Sequence, residues 1–240
     1  LSLPGSEGLY EKKDRLNIKN KIEFISHKVK LTPNNKYLHN INLTFVKGKS
    51  YLIYGSGQVG KTALSLVLAG KATSAGNPWL IKIDDQKYRY KKWCLTYTKN
   101  YYLPVNNLAS ASIIEIISGR TGTRLTEVTI KQVADLIDST PALSFIKSLP
   151  KYISSRADSK LISSTERHLL ELASCLFLKP QMVVIDNIIT DNNDPRIKQM
   201  IEIICDALKD SVIICFASNN DSKLNYEKTF NLQTETINQE

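Results

Sequence analysis

Short apolar runs alternate along most of the chain with segments in which apolar residues have helical spacing. The apolar and alternating runs predict strands at 21–26, 42–46, 51–54, 79–83, 93–98, 182–186 and 211–216. Apolar residues three and four positions apart predict helices at 62–69, 111–118, 128–137, 141–147, 165–178 and 194–208. Strands that alternate with helices are typical of an α/β fold, with a mostly parallel sheet and helices on both of its faces.

The character of the pattern changes along the chain. Strand patterns dominate before residue 100, and the segment at about 100–163 is predicted to be a helical insertion. Residues 1–20 are polar and charged, so we interpret them as a linker or flexible arm, and we interpret 21–240 as one domain. Because the chain begins at Leu1 rather than methionine, we expect it to be a piece of a longer protein.

Composition narrows the class of protein. No apolar run approaches the roughly 18 residues that a membrane-spanning helix needs. The four cysteines and three histidines lack metal-ligand spacing, so we expect reduced thiols and no structural metal. The net charge of +9 comes mostly from dispersed lysine, and residues 87–93 interleave basic with aromatic side chains. That segment suits a solvated strand and turn, or alternatively a site for single-stranded nucleic acid.

One stretch fits a phosphate-binding pattern completely. The P-loop pattern G-x-x-x-x-G-K-[ST] lies between the strand at 51–54 and the helix at 62–69, where phosphate binding requires it. Backbone N–H groups of such a loop close on phosphates, and the helix presents its positive N-terminus to the same anion. The alternative interpretation is a glycine-rich turn. The predicted nucleotide-binding residues are Gly55, Ser56, Gly57, Gln58, Val59, Gly60, Lys61, Thr62, Ala63 and Asp186.

Asp186 completes the predicted site because it ends the apolar strand at 182–186. In P-loop proteins a carboxylate at such a strand end helps to hold Mg²⁺, together with the hydroxyl that follows the loop lysine. We therefore predict that Lys61 reaches the β- and γ-phosphates of a nucleotide. Thr62 and Asp186 are the predicted Mg²⁺ ligands.

With these motifs in place, the chain resembles the nucleotide-binding domain of an ATP-binding cassette (ABC) transporter of the exporter branch, over about residues 21–232. Residues 21–24 are similar to the family's opening strand, and residues 38–49 to its lead into Walker A. Residues 144–150 are similar to the segment before the exporter signature, and residues 162–166 to the signature itself. The spacing between Ser163 and Asp186 is also similar to that between the family's signature serine and Walker B aspartate.

The resemblance implies a fold, cofactors and partners. It implies a P-loop NTPase fold with an N-terminal antiparallel β-subdomain and a helical subdomain insertion. It also implies Mg-ATP, a second nucleotide-binding domain (identical or a catalytically competent paralogue) in a head-to-tail dimer, and a transmembrane domain. We expect a location at the cytoplasmic face of the plasma (inner) membrane and no specific nucleic acid partner.

Several positions depart from the family's catalytic motifs. Asn187 stands where exporters have a catalytic glutamate, and Asn219 stands where they have a switch histidine. An amide cannot accept a proton from water, and a positioned general base typically contributes about 10² to 10⁴ in rate. Residues 97–99 lack the glutamine of the Q-loop, and Leu31 replaces an aromatic residue that stacks on adenine.

The signature departs from the family as well. Ser163 is retained, but Ser164, Thr165 and Glu166 replace two glycines and a glutamine. These departures together predict a degenerate domain that binds Mg-ATP through Walker A and Walker B but hydrolyses it slowly or not at all. The alternative is a non-catalytic scaffold or assembly module of a membrane complex. A third hypothesis is a soluble P-loop protein that acts on nucleic acid.

Overall fold

The computed structural model describes residues 16–30, 37–56, 59–72, 79–95, 100–103, 111–120, 125–157, 160–186, 194–218, 220 and 226–232. The strands in this part of the chain are β1 Lys21–Lys30, β2 Tyr37–Val46, β3 Ser50–Tyr54, β4 Leu80–Ile83, β5 Gln86–Arg89, β6 Asn100–Leu103, β7 Met182–Ile185, β8 Val212–Ala217 and β9 Lys228–Asn231. The α-helices are α1 Lys61–Leu68, α2 Tyr90–Leu95, α3 Ile113–Ser118, α4 Glu127–Ser139, α5 Ser164–Leu178 and α6 Pro195–Ala207. Two 3₁₀ helices follow α4, at Pro141–Ser148 and Tyr152–Ser154.

The larger sheet is parallel throughout. Its strand order is β6-β7-β8-β3-β9, and each neighbouring pair runs in the same direction. Every residue of β7 and β8 is buried, which explains why both strands are continuous apolar runs in the sequence. Because the strands are parallel, the residues that follow β3 and β7 come out at the same edge of the sheet.

A second sheet is antiparallel, with the order β2-β1-β4-β5. Its strands are consecutive or nearly so in sequence, as expected for a β-rich first part of the chain. Alternate residues of β1, such as Ile22 and Phe24, are fully buried in an apolar cluster that also contains residues of the larger sheet. This sheet therefore uses one face for packing, as antiparallel sheets commonly do.

The parallel sheet lies between two apolar cores. Leu52 of β3 belongs to the cluster that includes α3, α5, α6 and the longer 3₁₀ helix. Its neighbours Tyr51 and Ile53 belong to the other cluster, with the antiparallel sheet, α1 and α2. This alternation follows from the two-residue period of a strand. Helices consequently pack on both faces of the parallel sheet, which confirms the predicted arrangement.

One predicted strand is wrong. The run 93–98 was predicted to be a strand, but Tyr90–Leu95 forms the helix α2, while residues 96–99 lie outside the described residues. Tyr90 and Trp93 are three positions apart and bury the same helical face, at 2% and 1% exposure. Aromatic residues favour strands locally, but here their packing against α1 selects a helix.

The remaining predicted elements are confirmed, although β1 and β2 extend well beyond the strands predicted at 21–26 and 42–46. The segment 141–147 is helical as predicted, but it is a 3₁₀ helix rather than an α-helix. Three strands, β5, β6 and β9, were not predicted. The strand β6 occupies Asn100–Leu103, at the start of the predicted helical insertion, and pairs with β7. The helices of that segment begin at Ile113.

Residues 16–18 of the predicted arm are packed against the domain. Leu16 and Ile18 are 9% and 1% exposed and belong to the same apolar cluster as the antiparallel sheet. The backbone N–H of Ile18 donates to Oε1 of Gln181 at 3.2 Å, and the Gln181 amide in turn donates to Asn17. The end of the arm is therefore part of the folded core.

Candidate functional site

The glycine-rich loop (residues 55–60) connects β3 to α1, in the order that the sequence predicted. The backbone N–H of Gly55 donates to the Ala217 carbonyl at 3.2 Å, which ties the start of the loop to the end of β8. Gly60 precedes α1 with φ of 91°, in the left-handed region where a side chain is strained. Ser56 is exposed and Val59 is half-buried, while Gly57 and Gln58 lie outside the described residues.

The N-terminus of α1 has the features of an anion-binding end. Gly60 has no side chain to cap it, and the first turn of α1 contains no acidic residue. The first backbone N–H groups of a helix have no partner within the helix, and they carry the positive end of the helix dipole. An anionic group placed against Lys61 and Thr62 would therefore be stabilised by both effects.

Lys61 is a buried cation at this end of the helix. Lys61 is only 6% exposed, and its Nζ donates to the Gly55 carbonyl at 2.5 Å. This contact folds the ammonium group back over the loop, beside the end of β3. The neighbouring Thr62 is exposed and Ala63 is half-buried. The start of the loop thus has a buried positive charge beside it.

Asp186 lies beside α1. It directly follows β7 and is 2% exposed, and its Oδ2 lies 3.0 Å from the Ser65 hydroxyl of α1. Thr62 and Ser65 are three positions apart, so they share one face of the helix. The structure therefore brings Asp186 to the face of α1 that carries Thr62. The Thr62 hydroxyl and the Asp186 carboxylate supply hard oxygen donors, which is the donor type that Mg²⁺ prefers.

Ser163 and Glu166, from the signature-like segment 162–166, form a closed cap on α5. Ser163 is the residue before the helix, and its hydroxyl oxygen accepts from the Glu166 N–H at 3.2 Å. The backbone N–H and the hydroxyl of Ser163 both donate to Glu166 Oε2, at 2.8 Å and 2.9 Å. This reciprocal arrangement is a capping box. Ser164 begins the helix and is exposed, and Thr165 is half-buried.

Arg196 of α6 adds a positive charge to the same place. Its Nη1 lies 3.7 Å from Glu166 Oε1, and its Nη2 donates to Asp194 Oδ2 at 2.8 Å. The hydrogen bond from Arg196 lowers the pKa of Asp194, and the same hydrogen bond, to Asp194, raises the pKa of Arg196. The charged cluster Glu166, Arg196 and Asp194 therefore links the first turns of α5 and α6.

The basic and aromatic segment at 87–93 is divided between surface and core. Lys87, Arg89 and Lys91 are exposed. Tyr90 donates through its hydroxyl to the Val67 carbonyl, and Trp93 donates through Nε1 to a carbonyl at the end of α1, each at 3.2 Å. These two rings cannot stack on nucleotide bases because they are buried against α1.

Other predicted site residues lie outside the described part of the chain. They are Leu31, residues 97–99, Asn187 and Asn219. Their assignments to the family's motifs therefore stay predictions. Two residues that sequence reasoning missed are Ser65, which contacts Asp186, and Arg196, which contacts Glu166. Neither belongs to a motif, so only the fold places them at the site.

Comparisons with known proteins bear on the fold. Neither a protein-family model nor a curated protein sequence matches the chain. Among solved structures, one that matches is the structure of a bacterial Atm1-family ABC exporter with ATP bound. The TM-score is 0.73 at 17% identity, over 96% of this chain. The chain shares the fold of part of an ABC exporter.

The match covers 40% of the length of that exporter chain. At 17% identity the likeness to the ABC exporter shows the fold and not the activity. No helix within the described residues is both long enough and apolar enough to cross a membrane. The assignment of a function consequently depends on the chemistry of the loop, α1 and Asp186.

Proposed function

We propose that this chain is the ATP-binding domain of an ABC exporter-like membrane transporter, and that it binds Mg-ATP but is impaired in hydrolysis. The observation that supports this most is the placement of Lys61 and Asp186. They follow β3 and β7, which are separated by β8 in one parallel sheet, and α1, which begins at Lys61, contacts Asp186 through Ser65. In open parallel sheets, ligands bind outside the carboxyl ends of the strands, and this is such an edge.

The binding residues in this proposal are the loop and the first turn of α1. Backbone N–H groups of the loop after Gly55 and the N-terminus of α1 would bind the phosphates, with the Lys61 ammonium at the β- and γ-phosphates. Thr62 and Asp186 would hold Mg²⁺, which would neutralise part of the phosphate charge.

Impaired hydrolysis is supported by what stands at the catalytic positions. Asn187 lacks a carboxylate that could act as a base. The N-terminus of α5 is already occupied by the Glu166 carboxylate, which accepts two hydrogen bonds from Ser163. A phosphate approaching this end of α5 would meet the negative charge of that carboxylate. Any productive site in a dimer would therefore depend on the signature of a competent partner domain.

The proposed setting follows from the same fold. An exporter-like domain works with a transmembrane domain and a second nucleotide-binding domain, at the cytoplasmic face of the plasma (inner) membrane. A heterodimer would let the Lys61 loop of this chain face an intact signature in a catalytically competent paralogue. A homodimer would be defective at both sites because each signature would carry Glu166.

A scaffold or assembly module is the second candidate. The observation that favours it is the closed cap on α5, in which Ser163, Glu166 and Arg196 satisfy one another within the chain. A signature segment whose cap is internally satisfied keeps its shape without nucleotide. Association with a membrane partner that is independent of nucleotide and survives Lys61→Ala would support this candidate over the first.

Calorimetric titration of Mg-ATP into the 240-residue chain, beside Lys61→Ala, tests the proposal. We expect wild-type binding that weakens about 10- to 100-fold in Lys61→Ala, because a hydrogen bond to a charged group contributes about 1.5–3 kcal/mol. Lys71→Ala is the matched control, because Lys71 is an exposed lysine just beyond α1. Thermal unfolding of both variants checks that the fold is retained.

A phosphate-release assay on the same samples tests the second half of the proposal. We expect wild-type turnover well below the rates of about 1 to 10³ s⁻¹ that are typical of enzymes. If the wild type releases phosphate at such rates and Lys61→Ala abolishes the release, the catalytic positions are intact and the predicted impairment is overturned. Absence of Mg-ATP binding by the folded wild type would overturn the proposed function and favour the scaffold.

A further inference from the structure

Ser65 is a buried serine in the interior of α1. The residue is fully buried, and its hydroxyl oxygen lies 3.0 Å from Asp186 Oδ2 and 2.8 Å from the Thr62 carbonyl oxygen. It is therefore positioned to donate to either of these acceptors. The contact with Asp186 joins α1 to the end of β7, across 121 residues of sequence.

We propose that Ser65 is a positioning residue for the Asp186 carboxylate, and that it thereby sets how much Mg²⁺ the site requires. This inference rests on the proposed function, since it concerns the same Mg-ATP site. It adds a residue that lies outside the loop and the Walker B strand. Ser65 itself touches neither nucleotide nor metal in this proposal.

The carboxylate is the acceptor for which the hydroxyl matters more. The Thr62 carbonyl lies in the first turn of α1, where the backbone N–H four residues later supplies its hydrogen bond. The contact with the carboxylate is the longer of the two, at 3.0 Å against 2.8 Å, but an ionised carboxylate is a stronger acceptor than a neutral carbonyl. Asp186 is only 2% exposed, so the low dielectric around it strengthens this bond further.

Holding one oxygen of a carboxylate fixes the direction of the other. With Oδ2 of Asp186 held by Ser65, the plane of the carboxylate is set relative to α1 and to the Thr62 hydroxyl on the same helical face. Partners of this kind orient metal ligands, and their loss typically weakens metal binding about 10- to 100-fold. Ser65 thus prepares Asp186 for a metal ion before any ion arrives.

A serine in a helix commonly bonds only to a backbone carbonyl one turn earlier, and the chain offers a matched example. Ser118, at the end of α3, is 1% exposed, and its hydroxyl donates to the Ile114 carbonyl at 2.6 Å. Ser118→Ala removes the same hydroxyl from a similarly buried helical position without changing the surroundings of Asp186. It therefore separates general destabilisation from the proposed positioning role.

The test is ATP binding by calorimetry over several decades of Mg²⁺ concentration, on the 240-residue chain. Wild type, Ser65→Ala, Ser65→Cys and Ser118→Ala are compared, and binding is also measured in excess EDTA. We expect the half-saturating Mg²⁺ concentration to rise about 10- to 100-fold in Ser65→Ala. Ser65→Cys, which keeps a weaker donor, is expected to lie between Ser65→Ala and wild type, while Ser118→Ala matches wild type.

Binding without Mg²⁺ is expected to be the same in every variant, because Lys61 and the loop remain. If Ser65→Ala fails to fold, Ser65→Cys carries the comparison. An unchanged Mg²⁺ requirement in the folded Ser65 variants, with wild-type nucleotide binding intact, would overturn the role of Ser65 alone. Absence of nucleotide binding by the folded wild type would overturn the proposed function and this inference together.

Discussion

Two buried carboxyl groups of this chain have different surroundings. Asp186 is 2% exposed and accepts a hydrogen bond from Ser65. Glu171, in the middle of α5, is 7% exposed, and its Oε2 has no hydrogen-bond partner within the described part of the chain. Burial raises the pKa of Glu171 to about 7, because the charged form is the one that loses solvation. The Asp186 carboxylate is thus held by a hydrogen bond, whereas Oε2 of Glu171 is not.

Glu171 gives the stability of the protein a predictable pH dependence. In the unfolded chain this side chain has the ordinary pKa of 4.5, so between about pH 4.5 and about pH 7 the folded state binds a proton that the unfolded state has lost. The free energy of unfolding therefore falls as pH rises through this window. The loss is on the order of 3 kcal/mol, at about 1.4 kcal/mol for each pKa unit.

Glu171→Gln removes this titration. We expect the free energy of unfolding of the variant, relative to wild type, to increase by about 1–3 kcal/mol between pH 5 and pH 8. Urea unfolding at several pH values measures it. Glu202→Gln on α6 is the control, since its exposed pair with Lys198, one turn away, contributes at most about 0.5 kcal/mol. A difference between Glu171→Gln and wild type that stays constant with pH would contradict the expectation.

At the scale of elements, the first turns of α5 and α6 are held as a pair. The capping box closes the N-terminus of α5, Asp194 caps α6, and Arg196 lies between the two. Each cap satisfies backbone N–H groups that would otherwise lack partners. The capping box of α5 is therefore complete without any ligand.

The cap on α5 can be tested directly. Ser163→Ala removes the side chain that accepts from the Glu166 N–H, and loss of such a cap typically costs about 1 kcal/mol. We expect the free energy of unfolding, measured in urea, to fall by about that amount. Ser164→Ala, at the next and exposed position, is expected to leave stability unchanged. Equal stability of Ser163→Ala and wild type would show that the cap contributes nothing.

Elements were predictable where local pattern and packing agree. The runs that became β7 and β8 are apolar throughout because both of their faces are covered, so the sequence alone identifies them. The strand β5 is polar and mostly exposed at the edge of the antiparallel sheet, so it has no alternation to recognise. The prediction of a strand at α2 was wrong because its aromatic residues, which locally favour a strand, pack against α1 as a helix.

The candidate site was predictable in outline only. The loop motif and the strand ending in Asp186 carry a local signal, because their chemistry requires glycines, lysine and a carboxylate at fixed places. Ser65 and Arg196 carry none, since a single serine or arginine in a helix has no pattern of its own. They reach the site through contacts with Asp186 and Glu166, and such contacts exist only after folding.

At the scale of the whole molecule, a parallel sheet lies between two cores that share its strands. The cluster with α5 and α6 packs on one face, and the cluster with the antiparallel sheet and α1 packs on the other. Residues of β3, β7 and β8 alternate between these clusters. The ends of β3 and β7, from which the loop and Asp186 continue, are therefore packed on both faces of the sheet.

The net charge of +9 raises the question of nucleic acid binding, and the structure leads to a specific expectation. Sequence-tolerant binding of single strands uses aromatic platforms beside a basic groove. Here Tyr90 and Trp93 are buried under α1, whereas Lys87 and Lys91 remain exposed. Charge alone would then carry any binding, at dissociation constants of about 10⁻⁴ to 10⁻⁶ M in physiological salt.

Fluorescence anisotropy with a labelled single-stranded oligonucleotide tests this. We expect binding to weaken steeply between low and physiological salt, because counterion release supplies nearly all of the free energy. Replacing Lys87 and Lys91 together by alanine should weaken oligonucleotide binding modestly. The control replaces two exposed lysines elsewhere, such as Lys131 and Lys198, in the same way. Submicromolar binding that persists at physiological salt would require stacked bases. Because the two buried rings cannot supply that stacking, such a result would point to a nucleic acid site built from other residues.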